Sequence, residues 1–267
     1  VSAPFVDLRH RTSIVTGGSR GIGAATGLAL ARAGSNVALF DLDGDEASAT
    51  AAEIERETGV KARGYAVDVR KPELVKGMID AVATDFGGLD HLINNAGVQF
   101  VAPLPEFPDE QWEFVTSVNL DGVFYATKAA WPHMVAKRRG RIVNIASVHG
   151  LIASPFKPAY VAAKHGVVGL SRAAALEGAK VGITVNAVCP GVVLTDLIRK
   201  QAPQLVESYG GGISEDEALH RAFLSAMPTE AFIEPEEVAH LCVFLCSDAA
   251  RSITGSPIAI DGGWSAH

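Results

Sequence analysis

Three side chains on one short stretch could do chemistry together. Ser147 is followed thirteen residues later by Tyr160, and Lys164 lies four residues beyond that. From Pro158 onward the segment reads as helix, so Tyr160 and Lys164 stand one turn apart on one face. An ammonium beside a phenol favours the phenolate. At roughly 6 Å and an effective dielectric of about 20 the attraction is about 3 kcal/mol, or about two units off a tyrosine pKa near 10. Ser147 could offer its hydroxyl to the same substrate oxygen. A proton-transferring phenol, a cation that tunes it and a polarising hydroxyl are what reversible oxidation of an alcohol needs. A Tyr-x-x-x-Lys on a surface helix also arises by chance, so the surrounding elements decide its meaning.

Ser13-Ile14-Val15 reads as a buried strand and runs into Thr16-Gly17-Gly18-Ser19-Arg20-Gly21-Ile22-Gly23, followed by an Ala- and Leu-rich helical stretch to Gly34. Strand, glycine turn and helix in that order let backbone approach a pyrophosphate at a helix N-terminus. A second strand, Asn36 to Asp41, ends in a carboxylate eighteen residues past Gly23. Asp41 there can accept ribose hydroxyls and repel a 2′-phosphate, which points to NAD over NADP. Arg20 points mildly the other way, because it could pair with a phosphate.

Downstream, strands and helices keep alternating. A helix over Asp43–Thr58 ends at Gly59, and a strand from Ala62 to Val67 leads to Asp68-Val69. Asp68 is either an acceptor for an adenine amino group or a turn and helix-capping residue. A helix from about Pro72 precedes the strand Leu89–Ile93, which ends in Asn94-Asn95-Ala96-Gly97 at a position where open α/β sheets bind ligands. One long helix is expected over Asp109–Ala136, with Asn119 among apolar residues. It either satisfies carbonyls at a kink or holds a water in a proton path. Arg141–Ala146 is a strand that delivers Ser147, and Gly182–Val188 is a strand followed by Cys189-Pro190-Gly191. A last strand, Ser256–Ile260, precedes Asp261-Gly262-Gly263-Trp264. The pattern predicts an α/β fold: one doubly wound (Rossmann) parallel sheet of about seven strands in a single domain, with helices on both faces. The irregular stretch at about 192–229, with Gly210-Gly211-Gly212 inside it, is expected to be a lid.

Bulk properties narrow the function classes. A chain of 267 residues that is 48% hydrophobic can bury a large core, and a net charge of −7 argues against nucleic acid or an anionic membrane as partner. No apolar run reaches membrane-spanning length. No signal peptide is visible, and the expected compartment is a reducing cytoplasm. Cys189, Cys242 and Cys246 sit in apolar surroundings and read as core filling, so no metal site is expected.

These motifs together resemble the short-chain dehydrogenase/reductase family over nearly the whole chain. The carriers are TGGSRGIG at Thr16–Gly23, NNAG at Asn94–Gly97, Asn119, Ser147, YVAAK at Tyr160–Lys164 and PG at Pro190–Gly191. The resemblance implies that Asn119, Ser147, Tyr160 and Lys164 form the catalytic set. Tyr160 would transfer the proton, Ser147 would polarise the oxygen, Lys164 would tune Tyr160 and hold the nicotinamide ribose, and Asn119 would support a water relay. It also implies that Asn95, Val118, Val193 and Thr195 lie along an NAD molecule. The Gly17–Gly23 turn, Asp68-Val69, Ala96-Gly97 and Pro190-Gly191 belong to the same expected cofactor site. Family members are mostly tetramers, so a homotetramer is expected.

Substrate choice lies outside the shared motifs. Gln99, His149, Lys157 and Gln201 each stand beside a catalytic landmark, and a lysine, a histidine and two amides suit a small carboxylate. Their pattern is similar to that of the family's bacterial members acting on 3-hydroxybutyrate. There the matching residues hold the substrate carboxylate, and an aromatic matching Trp264 shapes the pocket. Those members commonly carry Trp where this chain has Val192, which leaves room for a bulkier 3-hydroxy acid. The rival readings are an NADPH-dependent reductase of acyl thioesters, which Asp41 opposes, and a non-catalytic NAD-sensing protein, which the intact Ser147, Tyr160 and Lys164 oppose.

Overall fold

The fold is seen in a computed structural model that describes residues 6–200, 202–208 and 210–266. Seven strands form one sheet: β1 (Thr12–Thr16), β2 (Asn36–Asp41), β3 (Ala62–Ala66), β4 (His91–Asn94), β5 (Gly140–Ile145), β6 (Ile183–Pro190) and β7 (Pro257–Ile260). Their order is β3-β2-β1-β4-β5-β6-β7 and every pairing is parallel. The strands are near-continuous apolar runs because both faces are covered. Successive residues face opposite cores. Val15, Leu39, Ile93 and Val143 pack against α1 (Gly21–Arg32), α2 (Gly44–Thr58) and, later in the chain, the helix Pro235–Cys246, whereas Ile14, Ala38, Leu92 and Ile142 pack against α3 (Pro72–Asp85) and the two long helices after β4 and β5. Cys242 and Cys246 fill the first of these cores.

Local signals agree with the sequence reading at most elements. Asp43 caps α2 by accepting from the Asp45 and Glu46 N–H groups, and Gly59 closes it in the left-handed region. The expected single helix over Asp109–Ala136 is a correction: it is α4 (Asp109–Thr116) and α5 (Gly122–Lys137), separated by a π turn at Ser117–Asp121. Asn119 lies inside that turn. The central helix α6 (Pro158–Gly178) starts with proline at its first position.

Among the described residues between β6 and the helix at Pro235 the chain makes three short helices, α7 (Asp196–Arg199), α8 (Ala202–Ser208) and α9 (Glu215–Leu219), then a π turn at His220–Leu224. Leu219, Leu224 and Met227 are buried and anchor this excursion. Its far end is tied to the C-terminal turn, where the Thr229 N–H donates to the Gly262 carbonyl at 3.2 Å. The helix Pro235–Cys246 is α10, opened by a reciprocal Glu234–Glu237 capping box. Among the described residues, no helix is long and apolar enough to cross a membrane, and no group of three or more metal-ligating side chains is assembled.

Candidate active site

The sheet order reverses between β1 and β4, and a cleft opens at their C-terminal ends, as expected at such a switch point. One hydroxyl ties the two strand ends together. Thr16 Oγ1 accepts from the Asn95 N–H (3.0 Å) and the Ala96 N–H (3.1 Å), while Asn95 Nδ2 donates to the carbonyls of Thr16 (3.0 Å) and Gly17 (2.8 Å). The turn that follows has no room for a side chain at Gly17 or Gly23. Gly17 has φ +61°, and a Cβ on Gly23 would lie 1.9 Å from the Gly17 carbonyl oxygen. Arg20 stands at the start of α1, whose first turn contains no acidic residue, so its free N–H groups favour an anion.

The cleft holds about 390 Å³, enough for part of a dinucleotide. Gly17, Arg20, Gly21 and Ile22 form one wall, and Asn95, Ala96, Gly97 and Val118 the other. Asp41, Asp68 and Val69 close one end, with Thr195 also on the lining. Asp41 Oδ2 accepts from the Ser19 N–H (3.0 Å) and its Oδ1 from the Leu42 N–H (2.8 Å). The Asp68 carboxylate is gripped by the Arg70 guanidinium at 2.9 and 2.7 Å and by the Arg70 N–H at 3.0 Å. The side-chain bonds from Arg70 are the main reason Asp68 titrates below the usual carboxylate range. Asp68 thus fills the turn role, accepting from the Arg70 N–H, and it also lines the cleft. Arg70 in turn lies 5.2 Å from the centre of the Phe114 ring on α4, spanning from one wall toward the other.

Asn119 is fully buried. Its Nδ2 donates to the carbonyls of Val98 and Val115, both at 2.8 Å, and its Oδ1 accepts from the Val98 N–H at 3.3 Å. The Val115 carbonyl thereby gains a side-chain donor, and the loop after Asn94-Asn95-Ala96-Gly97 is pinned to α4. A Cβ on Gly97 would lie 2.9 Å from Asn119 Oδ1 and 3.7 Å from Lys164 Nζ, which brings three sequence-predicted residues to one spot.

Ser147 follows β5, and its Oγ accepts from the His149 N–H at 3.1 Å within a 3₁₀ turn at Val148–Gly150. Tyr160 sits in the first turn of α6, partly open to solvent, and Lys164 is buried one turn later. Lys164 Nζ donates to the Ile145 carbonyl at 2.7 Å and lies 5.6 Å from the centre of the Tyr160 ring. The expected downward pull of Lys164 on the phenol does not prevail. Burial pushes Tyr160 above its ordinary value, and the Ser147 hydroxyl is what opposes this. Burial also depresses Lys164 to about 8, so the ammonium loses its charge more readily than a solvated lysine.

His149 brings the substrate candidates together. Its ring centre is 6.3 Å from that of Tyr160 and 5.3 Å from that of Trp264, edge to face in both cases. Burial, with Lys157 nearby, lowers its pKa to about 4. Lys157 is half-buried and shifted downward by burial. Gln99 is exposed on a loop tied to the Lys157 loop, because the Ala102 N–H donates to the Phe156 carbonyl at 3.0 Å.

A family model described as enoyl-(acyl carrier protein) reductase matches residues 17–265. The chain is 44% identical to a D-beta-hydroxybutyrate dehydrogenase of Rhizobium meliloti (strain 1021), over 96% of this chain and 99% of that one. It is 41% identical to a D-beta-hydroxybutyrate dehydrogenase of Cupriavidus necator, over 97% and 100%. This chain is a short-chain dehydrogenase/reductase. It is also 36% identical to a 3-oxoacyl-[acyl-carrier-protein] reductase of Staphylococcus aureus, over 95% and 97%. A crystal structure described as a short-chain alcohol dehydrogenase from Sinorhizobium meliloti 1021 superposes with a TM-score of 0.87 at 38% identity, covering 98% of this chain and 99% of that one. The protein is accordingly an oxidoreductase, of a family that uses nicotinamide cofactors.

The remaining expected residues of this short-chain dehydrogenase/reductase lie beside or behind the cleft. Val193 belongs to the core beneath the cleft, where it bridges to Ile233. Pro190 and Gly191 support the site from behind: Pro190 pairs with Ile260, and a Cβ on Gly191 would meet the Asp261 Cα at 3.0 Å. Val192 and Trp264 are half-buried against the same core. Gln201 lies outside the described residues. Sequence reasoning missed Thr16 as the tie between strand ends, although it opens the glycine motif. Arg70 and Phe114 were also missed, as was Ser154, whose hydroxyl lies 3.3 Å from His149 Nε2. No local pattern marks that serine.

Proposed function

We propose that the enzyme interconverts (R)-3-hydroxybutyrate and acetoacetate, or a closely related 3-hydroxy acid, with NAD. The observation that carries this reading is the gathering of Tyr160, Lys157 and Trp264 about His149, on a fold whose glycine turn borders a cleft with room for part of a dinucleotide. The residues present fit a dinucleotide: a turn crowded at Gly17 and Gly23 so that only glycine fits, a helix N-terminus free of acidic groups and a carboxylate at the end of β2. Bound NAD would supply the hydride acceptor.

The chain's own residues then have distinct tasks. Tyr160 takes the substrate hydroxyl proton, and Ser147 donates to the oxygen as charge develops on it. Lys164 holds the ribose end and stabilises the ionised phenol. Because Tyr160 is raised by burial, charge on Lys164 must be kept for turnover, and Lys164 is readily protonated only below about pH 8. Asn119 fixes the loop beside Lys164 and offers a path for a relay water. Lys157 supplies the positive charge for the substrate carboxylate, with His149 and Gln99, and Gln201 from the excursion, as neutral partners. The 192–229 excursion acts as a lid over this pocket, and its tie to the C-terminal turn brings Trp264 with it. Val192 in place of a larger wall residue widens tolerance for longer acids. The relatives' names support this reading, and a cytoplasmic homotetramer is proposed with it.

The experiment is an initial-rate panel of NAD and NADP against both enantiomers of 3-hydroxybutyrate, longer 3-hydroxy acids and their thioesters. The expected result is the highest kcat/KM for NAD with a free four- to six-carbon (R)-3-hydroxy acid. A preference for a thioester with NADPH would replace this reading with that of an acyl-thioester reductase, the activity carried in the name of the Staphylococcus aureus relative.

A further inference from the structure

We infer that Glu46 acts with Asp41 to exclude a 2′-phosphorylated dinucleotide, by holding the loop residue that would otherwise receive the phosphate. The inference rests on the NAD reading above. Ser19 is 5% exposed, and all of its polar groups are committed. Its N–H donates to Asp41 Oδ2 at 3.0 Å, its hydroxyl donates to Glu46 Oε2 at 3.1 Å, and its carbonyl accepts from the Thr50 hydroxyl at 2.8 Å.

Asp41 stands at the end of β2, where a carboxylate meets the ribose 2′-hydroxyl. A phosphate on that hydroxyl would bring nearly two negative charges and would need N–H, O–H and cationic partners. The Ser19-Arg20 pair of the glycine turn is the obvious supplier: one backbone N–H, one hydroxyl and one guanidinium. Both Ser19 donors instead end on carboxylates. Arg20 opens onto an adjoining recess that it shares with Asp41, Asp43 and Asp45. A phosphate entering there would have to displace two charged acceptors and remain beside their negative charge.

Glu46 therefore selects cofactor at one remove, through Ser19, and neutralising Asp41 alone leaves part of the barrier in place. The side chain can be changed without unmaking the start of α2, because the Glu46 N–H is separately fixed by Asp43 Oδ1 at 3.0 Å.

The test measures kcat/KM for NAD and NADP with one 3-hydroxy acid in wild type, Asp41→Asn, Glu46→Gln and the double variant, with NADP dissociation constants by calorimetry as a readout independent of turnover. Glutamine keeps an acceptor for the Ser19 hydroxyl and removes only the charge. Glu46→Gln is expected to raise the NADP/NAD ratio about 5- to 20-fold, as expected for one partly screened charge near a phosphate. The double variant should exceed Asp41→Asn by a similar factor. A wild type that prefers NAD, with ratios in both Glu46→Gln backgrounds within about twofold of their parents, overturns the role of Glu46 alone. A wild type that prefers NADP overturns the NAD reading and this inference with it.

Discussion

The two ends of the same strands handle polar groups in opposite ways. At the N-terminal ends, Asp90 is almost fully buried and is surrounded: Lys137 Nζ at 2.7 Å, the Thr12 N–H at 3.1 Å and Arg11 at 3.4 Å. Beside it, His91 pairs with the Ser13 hydroxyl at 2.9 Å, which in turn meets Ser35 at 2.7 Å. Burial lowers His91 to about 3, so it is neutral at ordinary pH. These groups close on one another except at His91 Nε2, which is buried without a hydrogen-bond partner and faces no opening. At the C-terminal ends, Thr16, Asn95 and Asn119 are equally well bonded, but they frame an opening onto which Asp41 and Gly97 face, with Tyr160, Lys157 and His149 beyond. Hydrogen bonding alone therefore does not mark a site. What marks it is titratable groups left with spare bonding capacity toward an accessible space.

This contrast can be broken at either end. Tyr160→Phe should lower kcat about 10³- to 10⁴-fold, while the unfolding free energy and the NAD dissociation constant stay near wild type. A substantial residual rate would remove Tyr160 from its role, and a matching loss of stability would erase the distinction between the two ends.

Asp90→Ala should do the reverse. We expect about 3 kcal/mol of lost stability in urea unfolding, since the change leaves Lys137 and Arg11 without their shared carboxylate, and a kcat within about twofold at 25 °C. Burial raises the Asp90 carboxyl, but Lys137 and the Thr12 N–H hold it below its ordinary value on balance. A depressed carboxyl contributes stability that is present above its unfolded pKa, near 4, and is lost as pH falls through the folded value. Wild type should therefore lose more stability than the variant on acidification below pH 4.

The smallest expected effect sharpens the substrate end. Lys157→Ala should raise KM for a 3-hydroxy acid about 10- to 30-fold and leave KM for a neutral secondary alcohol within about threefold. Since His149 is neutral above about pH 4, KM for the acid in wild type should show no inflection near 6.5, and it should rise only as Lys157 loses its proton in the alkaline range. An inflection near 6.5 would give the carboxylate-binding charge to His149 instead.

The legible half of the molecule is the one built from backbone. Glycines at Gly17 and Gly23, the carboxylate ending β2 and the apolar strands follow from local rules of chain geometry, and they fall where the sequence puts them. The parts that sequence reasoning missed depend on contacts between distant segments. Arg70 meets Phe114 across the cleft, and Ser154 meets His149 through a loop of irregular shape. The π turn is invisible to a period of 3.6 because one surplus residue in a mixed stretch such as Ser117–Asp121 leaves no mark in the apolar pattern. The direction of the Tyr160 shift is likewise not legible in spacing, which reveals a neighbouring charge but not the packing around the ring.

A π turn is a helix carrying one surplus residue. Removing one residue from Ser117–Asp121 would let α4 and α5 fuse into a regular helix, and everything before the join would swing by about 100° about the axis. Phe114 would leave its place opposite Arg70, and the amide of Asn119 would no longer reach the Val98 carbonyl. The apparent irregularity thus sets the angular phase between the helix that borders the cleft and the helix that packs on the sheet. Lengthening or trimming this region should be tolerated far worse than substituting within it.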